Sequence, residues 1–347
     1  MRIPVIEELR QIIEHTKIAK LQPSSFAALL YGCKYQYILN AVIQSNKLYQ
    51  LPITPKAILG SIIHKIIELR YSGIIKTETD FDTTWHSLLK EKEIENYGEA
   101  GKGFLTDWIK YSKTKKVIFA IPLYKSVDSE RGKTCEVAIW GVDYIHGIID
   151  KINISNDTIE IIDFKTGVLY DDAGNVKEAY AVQLKLYALL YQLNYNKKVS
   201  KLTLIDIDGK KESICFTQED LESLYRQVID MVDLLNQGSK ELLISKDIDK
   251  NCLYCKSRHL CDDYWEGEIL PIDVNGFVED VNNYGLITMK RENEETMIVT
   301  QMSYYSVNEL KEIIGKNVRI VTLSVSKVMH YGKLYKGKKW SRIYVVK

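Results

Sequence analysis

The amino-acid sequence predicts an α/β fold followed by a small all-β module. Residues 147–165 place β-branched and aliphatic side chains in two arms around a run of turn formers, which is typical of a β-hairpin. Helical periodicity precedes and follows this hairpin, as in an αβ layer arrangement. After Pro271 the pattern changes to short strand-like runs. The first 268 residues are therefore predicted to form one domain and residues 269–347 a second.

The composition is that of a folded, water-soluble protein. The chain has 347 residues, of which 46% are hydrophobic and 27% charged, so it is long enough for one large domain with an appended module. The N-terminus lacks the apolar region of a signal peptide, and no apolar run reaches membrane-spanning length. We therefore expect a cytoplasmic protein with no membrane partner, in which clustered cysteines act as metal ligands rather than as disulfides.

The charge is unevenly distributed along the chain. The net charge is +1, yet residues 313–347 contain nine Lys or Arg and no Asp or Glu, so the rest of the chain sums to −8. A basic end on an otherwise acidic protein favours a polyanionic partner. The alternative is a solvated basic face.

Helical patterns come before the hairpin. They cover residues 5–20, 26–43, 56–70 and 80–114. The second predicted helix contains Cys33, and Thr54 with Pro55 opens the third. Trp85 and Trp108 are the expected packing anchors of the fourth.

The third predicted helix carries a candidate metal ligand. Gly60, His64 and Glu68 fall at i, i+4 and i+8, so they share one face, while aliphatic residues cover most of the rest. An imidazole nitrogen is a competent ligand for Mn²⁺ beside carboxylates. The alternative is a core histidine that is hydrogen-bonded to Glu68 or to the backbone.

Three charged side chains lie on the hairpin. Asp163 and Lys165 are two residues apart in the second arm, so they point to the same face, while Phe164 points to the other. Strand pairing would bring Asp150 alongside them. Carboxylates hold Mg²⁺ or Mn²⁺ and a lysine orients the attacking water, so this set suits metal-assisted phosphodiester hydrolysis. The alternative for Asp163 and Lys165 is a solvated ion pair.

Further elements lie on both sides of the hairpin. Strands are predicted at 116–125, 134–146, 200–207 and 211–216, and helices at 177–193 and 218–235. Gln183 and Tyr187 lie one turn apart on one face of the helix over 177–193. Cys135 and Cys215 fall in predicted strands and are expected to be small apolar core residues.

Three of the six cysteines form a Cys-x2-Cys-x5-Cys pattern at Cys252, Cys255 and Cys261. An inorganic centre bound there needs a fourth ligand, for which Cys33 is the best candidate. The uneven spacing and the distant fourth cysteine favour an iron-sulfur cluster. A zinc site, with His259 as an alternative ligand, stays open.

Taken in order, these motifs resemble the PD-(D/E)XK nuclease superfamily, in particular its RecB-like branch with an iron-sulfur cluster, which includes AddB and the cluster-containing CRISPR adaptation nucleases. The resemblance covers roughly residues 20–265. In that family a helix supplies a histidine ligand, as His64 would here, and a Gly-x-x-Asp strand supplies the first carboxylate, as Asp150 would. The family's Asp/Glu-x-Lys strand matches Asp163 and Lys165.

The resemblance extends to other residues and implies a fold. A Gln-x3-Tyr helix matches Gln183 and Tyr187, which by resemblance position the substrate or the active-site lysine. The family's cluster uses one cysteine before the nuclease core and three after it, similar to the pattern here. The implied fold is a mixed central sheet flanked by helices, the restriction-endonuclease-like core, with a cluster-stapled helical lobe.

The resemblance also implies a substrate. Members act on DNA ends or single strands, often as exonucleases, and several are joined to helicases. No phosphate-loop motif occurs here, so any ATP-driven unwinding would come from a helicase or another DNA-processing partner.

The C-terminal residues predict an OB-like barrel. Strand-like runs occur at 276–281, 284–289, 296–302, 318–328 and 341–346, with a helix at 307–314. Five strands with a helix after the third describe that fold, and the segment weakly resembles a cold-shock barrel. Basic residues with interleaved aromatic ones suit single-stranded nucleic acid. The candidates are Tyr284, Lys333, Lys336, Lys338, Lys339 and Trp340. The alternative is a barrel that packs on the first domain or on a partner protein.

The sequence thus predicts a DNA nuclease that depends on Mg²⁺ or Mn²⁺ and contains a 4Fe-4S cluster. His64, Asp150 and Asp163 would bind the metal, while Lys165 would position the attacking water. The alternative function is a non-cleaving subunit of a recombination or defence complex that binds DNA ends or acts as a scaffold.

Overall fold

The computed structural model describes residues 3–52, 54–120, 137–139, 143–155, 158–237, 243, 252, 255–291, 295–329 and 332–346. The α-helices are α1 (Ile6–His15), α2 (Pro23–Tyr31), α3 (Lys34–Ser45), α4 (Pro55–Tyr71), α5 (Glu78–Glu91), α6 (Gly98–Leu105), α7 (Trp108–Ala120), α8 (Glu178–Tyr195), α9 (Gln218–Gln237), α10 (Asp262–Glu266) and α11 (Val307–Lys311). Short 3-10 helices cover Ile94–Tyr97 and Arg258–Leu260. None of the helices in these ranges is both long enough and apolar enough to cross a bilayer.

The strands form three sheets. They are β1 (Val137–Ile139), β2 (Gly147–Ile149), β3 (Lys151–Ser155), β4 (Thr158–Lys165), β5 (Lys201–Asp206), β6 (Lys211–Ser213), β7 (Val274–Val281), β8 (Ile287–Lys290), β9 (Thr296–Thr300), β10 (Asn317–Val321), β11 (Ser324–Met329), β12 (Gly332–Lys336) and β13 (Arg342–Val346). β1 pairs with β2, β3 to β6 form a second sheet, and the remaining strands form a third.

The chain divides into two compact units. The central unit comprises Ile18–Gly32 and Thr54–Gly238, and the terminal unit comprises Met1–Lys17, Cys33–Ile53 and Ser239–Lys347. Each unit is therefore assembled from separate stretches of the chain. The domain boundary predicted after residue 268 stays a prediction.

The central unit contains a mixed sheet. Its strand order is β3-β4-β5-β6, in which β4 runs parallel to β5 and the other pairs are antiparallel. Helix α8 packs against β4 and β5, and also against α2 and α9. Because β4 lies inside the sheet, its aliphatic residues on both faces are buried, as expected for a central strand. The predicted α/β arrangement is thus confirmed for this unit.

The first arm of the predicted hairpin is interrupted at Asp150. The segment before it, β2, pairs with β1, whereas the segment after it, β3, pairs with β4 from Lys151 opposite Ile162 to Ser155 opposite Thr158. The bend allows one stretch of chain to belong to two sheets. It also leaves Asp150 outside both strands, between β2 and β3.

The third sheet belongs to the terminal unit. Its order is β11-β12-β9-β8-β7-β10-β13, in which β12 and β9 are parallel and the other neighbours antiparallel. No pairing among the described residues joins the two ends of this order. The strand predicted over 318–328 is two strands, β10 and β11, because Thr322 between them adopts a φ of 61°. β12 was not predicted.

Asp273 joins the cysteine-rich segment to this sheet within the terminal unit. Arg258 Nε donates to Asp273 Oδ2 at 2.7 Å, and the Tyr264 hydroxyl donates to the same oxygen at 2.7 Å. The backbone N–H of Thr322 donates to Asp273 Oδ1 at 2.9 Å. Asp273 is fully buried, so these hydrogen bonds offset the desolvation of its charge.

The helix predicted over 26–43 is two helices, α2 and α3. Gly32 has an extended backbone (φ −116°, ψ −174°), and a Cβ at this position would lie 2.8 Å from the carbonyl oxygen of Ala28. Cys33 is the N-cap residue of α3, also in an extended conformation. The prediction that Cys33 lies inside a helix is therefore wrong.

Other predictions differ from the structure at single elements. Residues 116–120 of the strand predicted at 116–125 belong to α7, and the remainder lies outside the described residues, as does Cys135. Trp85 is buried as predicted, but Trp108 is 72% exposed and stacks on Tyr111 one turn later. Cys215 is exposed, so its assignment to the core is wrong.

Candidate active site

Asp163 and Lys165 lie near the carboxyl end of β4 in the central unit. Their side chains point the same way, and Lys165 Nζ lies 2.8 Å from Asp163 Oδ2. Asp163 is only 2% exposed. The neighbours Ile162 and Phe164 are buried on the other face of the strand. The pair is therefore held inside the protein, and the reading of it as a solvated surface ion pair is wrong.

Asp150 is attached to the same strand through the backbone. The Phe164 N–H donates to Asp150 Oδ2 at 2.8 Å. This N–H lies between the two charged residues of β4 in sequence, so the bend at Asp150 brings a second carboxylate to their neighbourhood. Asp150 is 9% exposed, so the carboxylates of Asp150 and Asp163 are both largely removed from solvent.

Helix α4 adds His64. Its Nδ1 lies 3.6 Å from Asp150 Oδ2. Burial lowers the pKa of His64, the negative charge of Asp163 opposes this shift, and the positive charge of Lys165 adds to it. A lowered pKa keeps the imidazole neutral near pH 7, which is the form that binds metal ions.

Two other residues of the Gly60, His64 and Glu68 face have clear structural contacts. A Cβ at Gly60 would lie 3.3 Å from Thr166 Oγ1, so glycine lets the helix approach the end of β4 closely. Glu68 forms an ion pair with Lys65 at 2.6 Å. The contact found for His64 is thus Asp150 and not Glu68.

Gln183 on α8 connects the charged pair to Tyr187. Lys165 Nζ donates to Gln183 Oε1 at 2.7 Å, and Gln183 Nε2 donates to Asp163 Oδ1 at 3.3 Å and to the Tyr187 hydroxyl at 3.1 Å. Gln183 and Tyr187 are both buried. The predicted shared face of the two side chains is confirmed, and both belong to the same group of residues as Asp163.

Tyr180 also belongs to the site, although it was not predicted from the sequence. The Lys165 ammonium lies 4.7 Å from the centre of the Tyr180 ring, and a Cβ at Gly167 would lie 3.4 Å from the Tyr180 hydroxyl. Tyr180 precedes Gln183 by three positions, so the helical repeat that joined Gln183 to Tyr187 was the signal that could have found it.

The donor set suits a hard divalent cation. Asp163 Oδ2 is buried and accepts no hydrogen bond from the described residues, its close contact being the Lys165 ammonium. Carboxylate oxygens with one imidazole nitrogen are ligands that Mg²⁺ or Mn²⁺ accepts. As the side chains stand, the described residues contain no group of three His, Cys, Asp or Glu at metal-binding distances.

The four cysteines of the predicted centre lie in the terminal unit. Burial, with smaller contributions from the charges of Cys261, Cys252 and Cys33, raises the pKa of the Cys255 thiol to about 12. Burial likewise raises the pKa of Cys261 to about 11, with contributions from Cys33 and Cys252. The charges of Cys33 and Cys252 thus act on both Cys255 and Cys261. His259 is 1% exposed and its ring lies 4.9 Å from that of Tyr344.

The residues predicted to contact nucleic acid lie on the third sheet and its loops. Tyr284 is 94% exposed in the turn between β7 and β8. Lys333 and Lys336 lie on β12, where Lys333 Nζ is 3.3 Å from Glu295 Oε1. Lys338, Lys339 and Trp340 precede β13, and the Trp340 carbonyl accepts a hydrogen bond of 2.9 Å from the Tyr49 hydroxyl.

Comparison with known proteins identifies a family. The family model described as the PD-(D/E)XK nuclease superfamily matches residues 23–262. The CRISPR-associated exonuclease Cas4 of Francisella tularensis subsp. novicida (strain U112) is 28% identical over 119 residues, which are 34% of this chain. The match spans 57% of the length of that relative.

The protein in a crystal structure of SSO0001 is 16% identical in sequence to this chain. The match covers 58% of this chain and 84% of that one, with a TM-score of 0.26.

The family match spans both carboxylates, the lysine and the four cysteines of the predicted centre. The mixed sheet with its flanking helices is compatible with that family's core. The chain belongs to the PD-(D/E)XK nuclease superfamily.

Proposed function

We propose that the protein is a Mg²⁺- or Mn²⁺-dependent deoxyribonuclease that acts as an exonuclease on single strands or DNA ends. The observation that carries this proposal is the meeting of His64, Asp150, Asp163 and Lys165 in the central unit, although they come from three separate elements of the chain. The name of the Cas4 relative, an exonuclease, supports the same activity.

His64, Asp150 and Asp163 are the residues that would hold the divalent ion. When bound, such an ion polarises a phosphate and makes a water molecule a better nucleophile near neutral pH. Lys165 then orients the attacking water and offsets the charge that develops on the phosphate oxygens. Gln183 holds the Lys165 ammonium at 2.7 Å, and Tyr187 holds Gln183, so these two residues fix the direction of the lysine.

For the terminal unit we propose a 4Fe-4S cluster bound by Cys33, Cys252, Cys255 and Cys261. All four cysteines lie in one unit, and the charges of Cys33 and Cys252 raise the pKa of both Cys255 and Cys261, which supports a shared centre. Thiolate sulfur is the ligand of both iron-sulfur clusters and structural zinc, so Zn²⁺ is the competing occupant. In either case the centre would connect the second and third stretches of the terminal unit.

We further propose that the third sheet is an OB-type barrel that binds nucleic acid. β10 and β11 follow one another with only Thr322 and Leu323 between them; β10 pairs with β7 and β11 pairs with β12, which itself lies parallel to β9. These pairings support a ring of five strands in which β10 and β11 are one kinked strand. The helix α11 between β9 and β10 fits the same topology.

The alternative is a cytoplasmic DNA-end binding or scaffold subunit that does not cleave. A cleavage assay decides between the two. Purified full-length protein should degrade end-labelled linear DNA in the presence of Mg²⁺ or Mn²⁺, and covalently closed circular DNA should be resistant if the enzyme requires an end. Any helicase partner would add unwinding and should not be needed for cleavage of a single strand.

The same assay tests the assigned residues. Asp150→Ala and Lys165→Ala should each lower the rate at least about a hundredfold, because each removes a group that acts on the reacting phosphate. Asp208→Asn is the matched control, since Asp208 is an exposed carboxylate in the turn after β5. Normal cleavage by both site variants, with unchanged circular dichroism, would reject the assignment.

A further inference from the structure

A cavity lies in the terminal unit, in a part of the chain that supplies none of the candidate active-site residues. It has a volume of about 540 Å³ and lies between residues 265–271 and the strands β7, β11 and β12. Its wall contains aromatic, aliphatic, amide and cationic side chains, among them Trp265, Leu270, Asn275, Arg291, Lys333 and Tyr335. A volume of this size accommodates a small organic ligand.

We propose that this cleft binds one nucleoside phosphate, either as a free nucleotide or as one nucleotide of a DNA strand. The proposal deepens the nucleic-acid binding proposed for the third sheet, and it does not require the nuclease activity. It rests on the two kinds of surface that meet in the cleft.

The first surface is cationic. Arg291 Nη1 lies 3.7 Å from Glu295 Oε2, and Lys333 Nζ lies 3.3 Å from Glu295 Oε1. The two cations thus share one carboxylate at distances longer than a strong charge-assisted hydrogen bond. Glu295 compensates one of the two positive charges, and Glu268 lies elsewhere in the lining of the cleft. An anion that enters the cleft can bind the cations without displacing a tighter pair.

Arg291 carries a further sign of a missing acceptor. Its Nε is buried, and no described residue accepts a hydrogen bond from it. A buried donor without an acceptor costs free energy. A phosphate group offers several acceptor oxygens in the geometry that a guanidinium prefers, so a bound phosphate would remove that cost.

The second surface is mainly aromatic and aliphatic. Trp265 and Tyr335 are 6% and 2% exposed. Trp265 Nε1–H donates to the His259 carbonyl at 3.3 Å, and the Arg319 guanidinium lies 5.3 Å from the Trp265 ring, so the indole is fixed. Leu270 adds an aliphatic side chain. A rigid apolar wall of this kind suits a planar ring system.

Polar groups beside this wall suit the edge of a base. Asn275 supplies an amide that both donates and accepts, and Glu268 supplies an acceptor. A ligand with a planar ring, hydrogen-bonding edges and an anionic group satisfies all of these features together. A nucleoside phosphate has this combination, whereas inorganic phosphate lacks the ring.

Equilibrium binding to the full-length Asp163→Ala variant, which separates binding from cleavage, tests the proposal. The probes are dAMP, inorganic phosphate and a six-nucleotide single-stranded DNA. The dissociation constant of each is measured by calorimetry. We expect dAMP or the oligonucleotide to bind at least tenfold more tightly than inorganic phosphate. Binding of dAMP identifies a free nucleotide as ligand, and binding of the oligonucleotide alone identifies a nucleotide within a strand.

Variants place the binding in the cleft. Arg291→Gln should weaken binding of the preferred probe about tenfold or more, because it removes a charge-assisted contact to phosphate. Lys311→Gln is the control, since Lys311 is an exposed residue of α11 that does not line the cleft. Val325→Trp fills the cleft from its rim and should block binding even if Arg291→Gln fails to fold.

Three outcomes would overturn the proposal: no binding of either nucleotide probe, binding of inorganic phosphate as tight as that of the preferred nucleotide probe, or binding that Val325→Trp leaves unchanged. Cleavage by Arg291→Gln in the wild-type background is measured in parallel. If the protein cleaves DNA but no probe binds the cleft, this inference fails alone. If nucleotide binds the cleft but no DNA is cleaved, only the proposed activity fails.

Discussion

Gln183 uses both ends of its amide within the candidate site. Its carbonyl oxygen accepts from Lys165, and its NH2 group donates to Asp163 and Tyr187. An amide can serve a cation and a carboxylate at once, whereas a carboxylate or an ammonium at the same place would repel one of them. The residue therefore orients the charged pair without adding charge.

Gln183→Leu should lower kcat of the nuclease about tenfold to a hundredfold, in line with the loss of groups that orient metal ligands. The KM for DNA should change little, because Lys165 and Asp163 remain. Steady-state cleavage kinetics measure both constants. Gln227→Leu, an exposed glutamine of α9, is the control. A rise in KM at constant kcat would instead place Gln183 in substrate binding.

Tyr180 holds Lys165 in a different way, through the face of its ring. Tyr180→Phe keeps that face and should retain kcat within about twofold, whereas Tyr180→Leu removes an interaction of about 0.5–2 kcal/mol and should lower kcat up to about thirtyfold. Tyr195→Leu, at an exposed position of the same helix, is the matched control. Equal activity of the Phe and Leu variants would show that the ring does not position the lysine.

At the scale of elements, β4 is joined to both neighbours by Glu160. Thr203 Oγ1 and Lys201 Nζ on β5 lie 2.6 Å and 3.1 Å from Glu160 Oε1, and Asn153 Nδ2 on β3 donates to Oε2 at 3.2 Å. Burial alone would raise the pKa of Glu160, but these contacts outweigh it and lower the pKa below its ordinary value. The folded state thus favours the charged carboxylate.

Glu160→Gln should therefore cost stability in a pH-dependent manner. Because the pKa is lowered on folding, the contribution of Glu160 is present above its unfolded pKa and is lost as the pH falls through the folded value. At pH 7 we expect the variant to unfold about 1 kcal/mol more easily in urea. Below the folded pKa the two proteins should converge. For the control Glu222→Gln, on the exposed face of α9, the difference in unfolding free energy from the wild type should not shrink at low pH. For Glu160→Gln, a difference that stays the same at every pH would contradict the argument.

Periodicity gave most of the regular elements, because α4, α8 and β4 bury enough aliphatic surface for the pattern to be unambiguous. The prediction from periodicity failed where a single residue determines the local structure. The break at Gly32 depends on a contact with the Ala28 carbonyl, the break at Asp150 on a change of strand partner, and Trp108 on which face of α7 is covered. These features are tertiary, so a local pattern does not contain them.

The candidate site was predictable to a similar degree. His64, Asp150 and Asp163 were named from their chemistry and spacing, and they meet within one unit. The contact of the Tyr180 ring with Lys165 and the burial of the Asp163–Lys165 pair were not foreseen. Both depend on how helices and side chains pack around β4, which the order of residues leaves open.

At the scale of the whole molecule, the chain alternates between units. The terminal unit is built from Met1–Lys17, Cys33–Ile53 and Ser239–Lys347. Cys33 begins the second of these stretches, and the other three cysteines of the predicted centre lie in the third. Cys33 also lies next to the third stretch, because its thiol is 3.9 Å from the Leu243 carbonyl. A metal centre would therefore close a loop of more than 200 residues, which is where a cross-link restricts the unfolded chain most.

Protein purified without oxygen should be brown and contain iron with acid-labile sulfide, since four thiolates and no other charged ligand suit a cluster. Cys33→Ser should lose the colour, and limited proteolysis should then cut the terminal unit first, because binding of a structural metal contributes to folding. Cys215→Ser removes an exposed thiol from the central unit and should keep both colour and resistance. Stoichiometric zinc without sulfide would show that the centre is a zinc site and not a cluster. If metal-free Cys33→Ser protein fully resists proteolysis, the stretches of the terminal unit hold together without any centre.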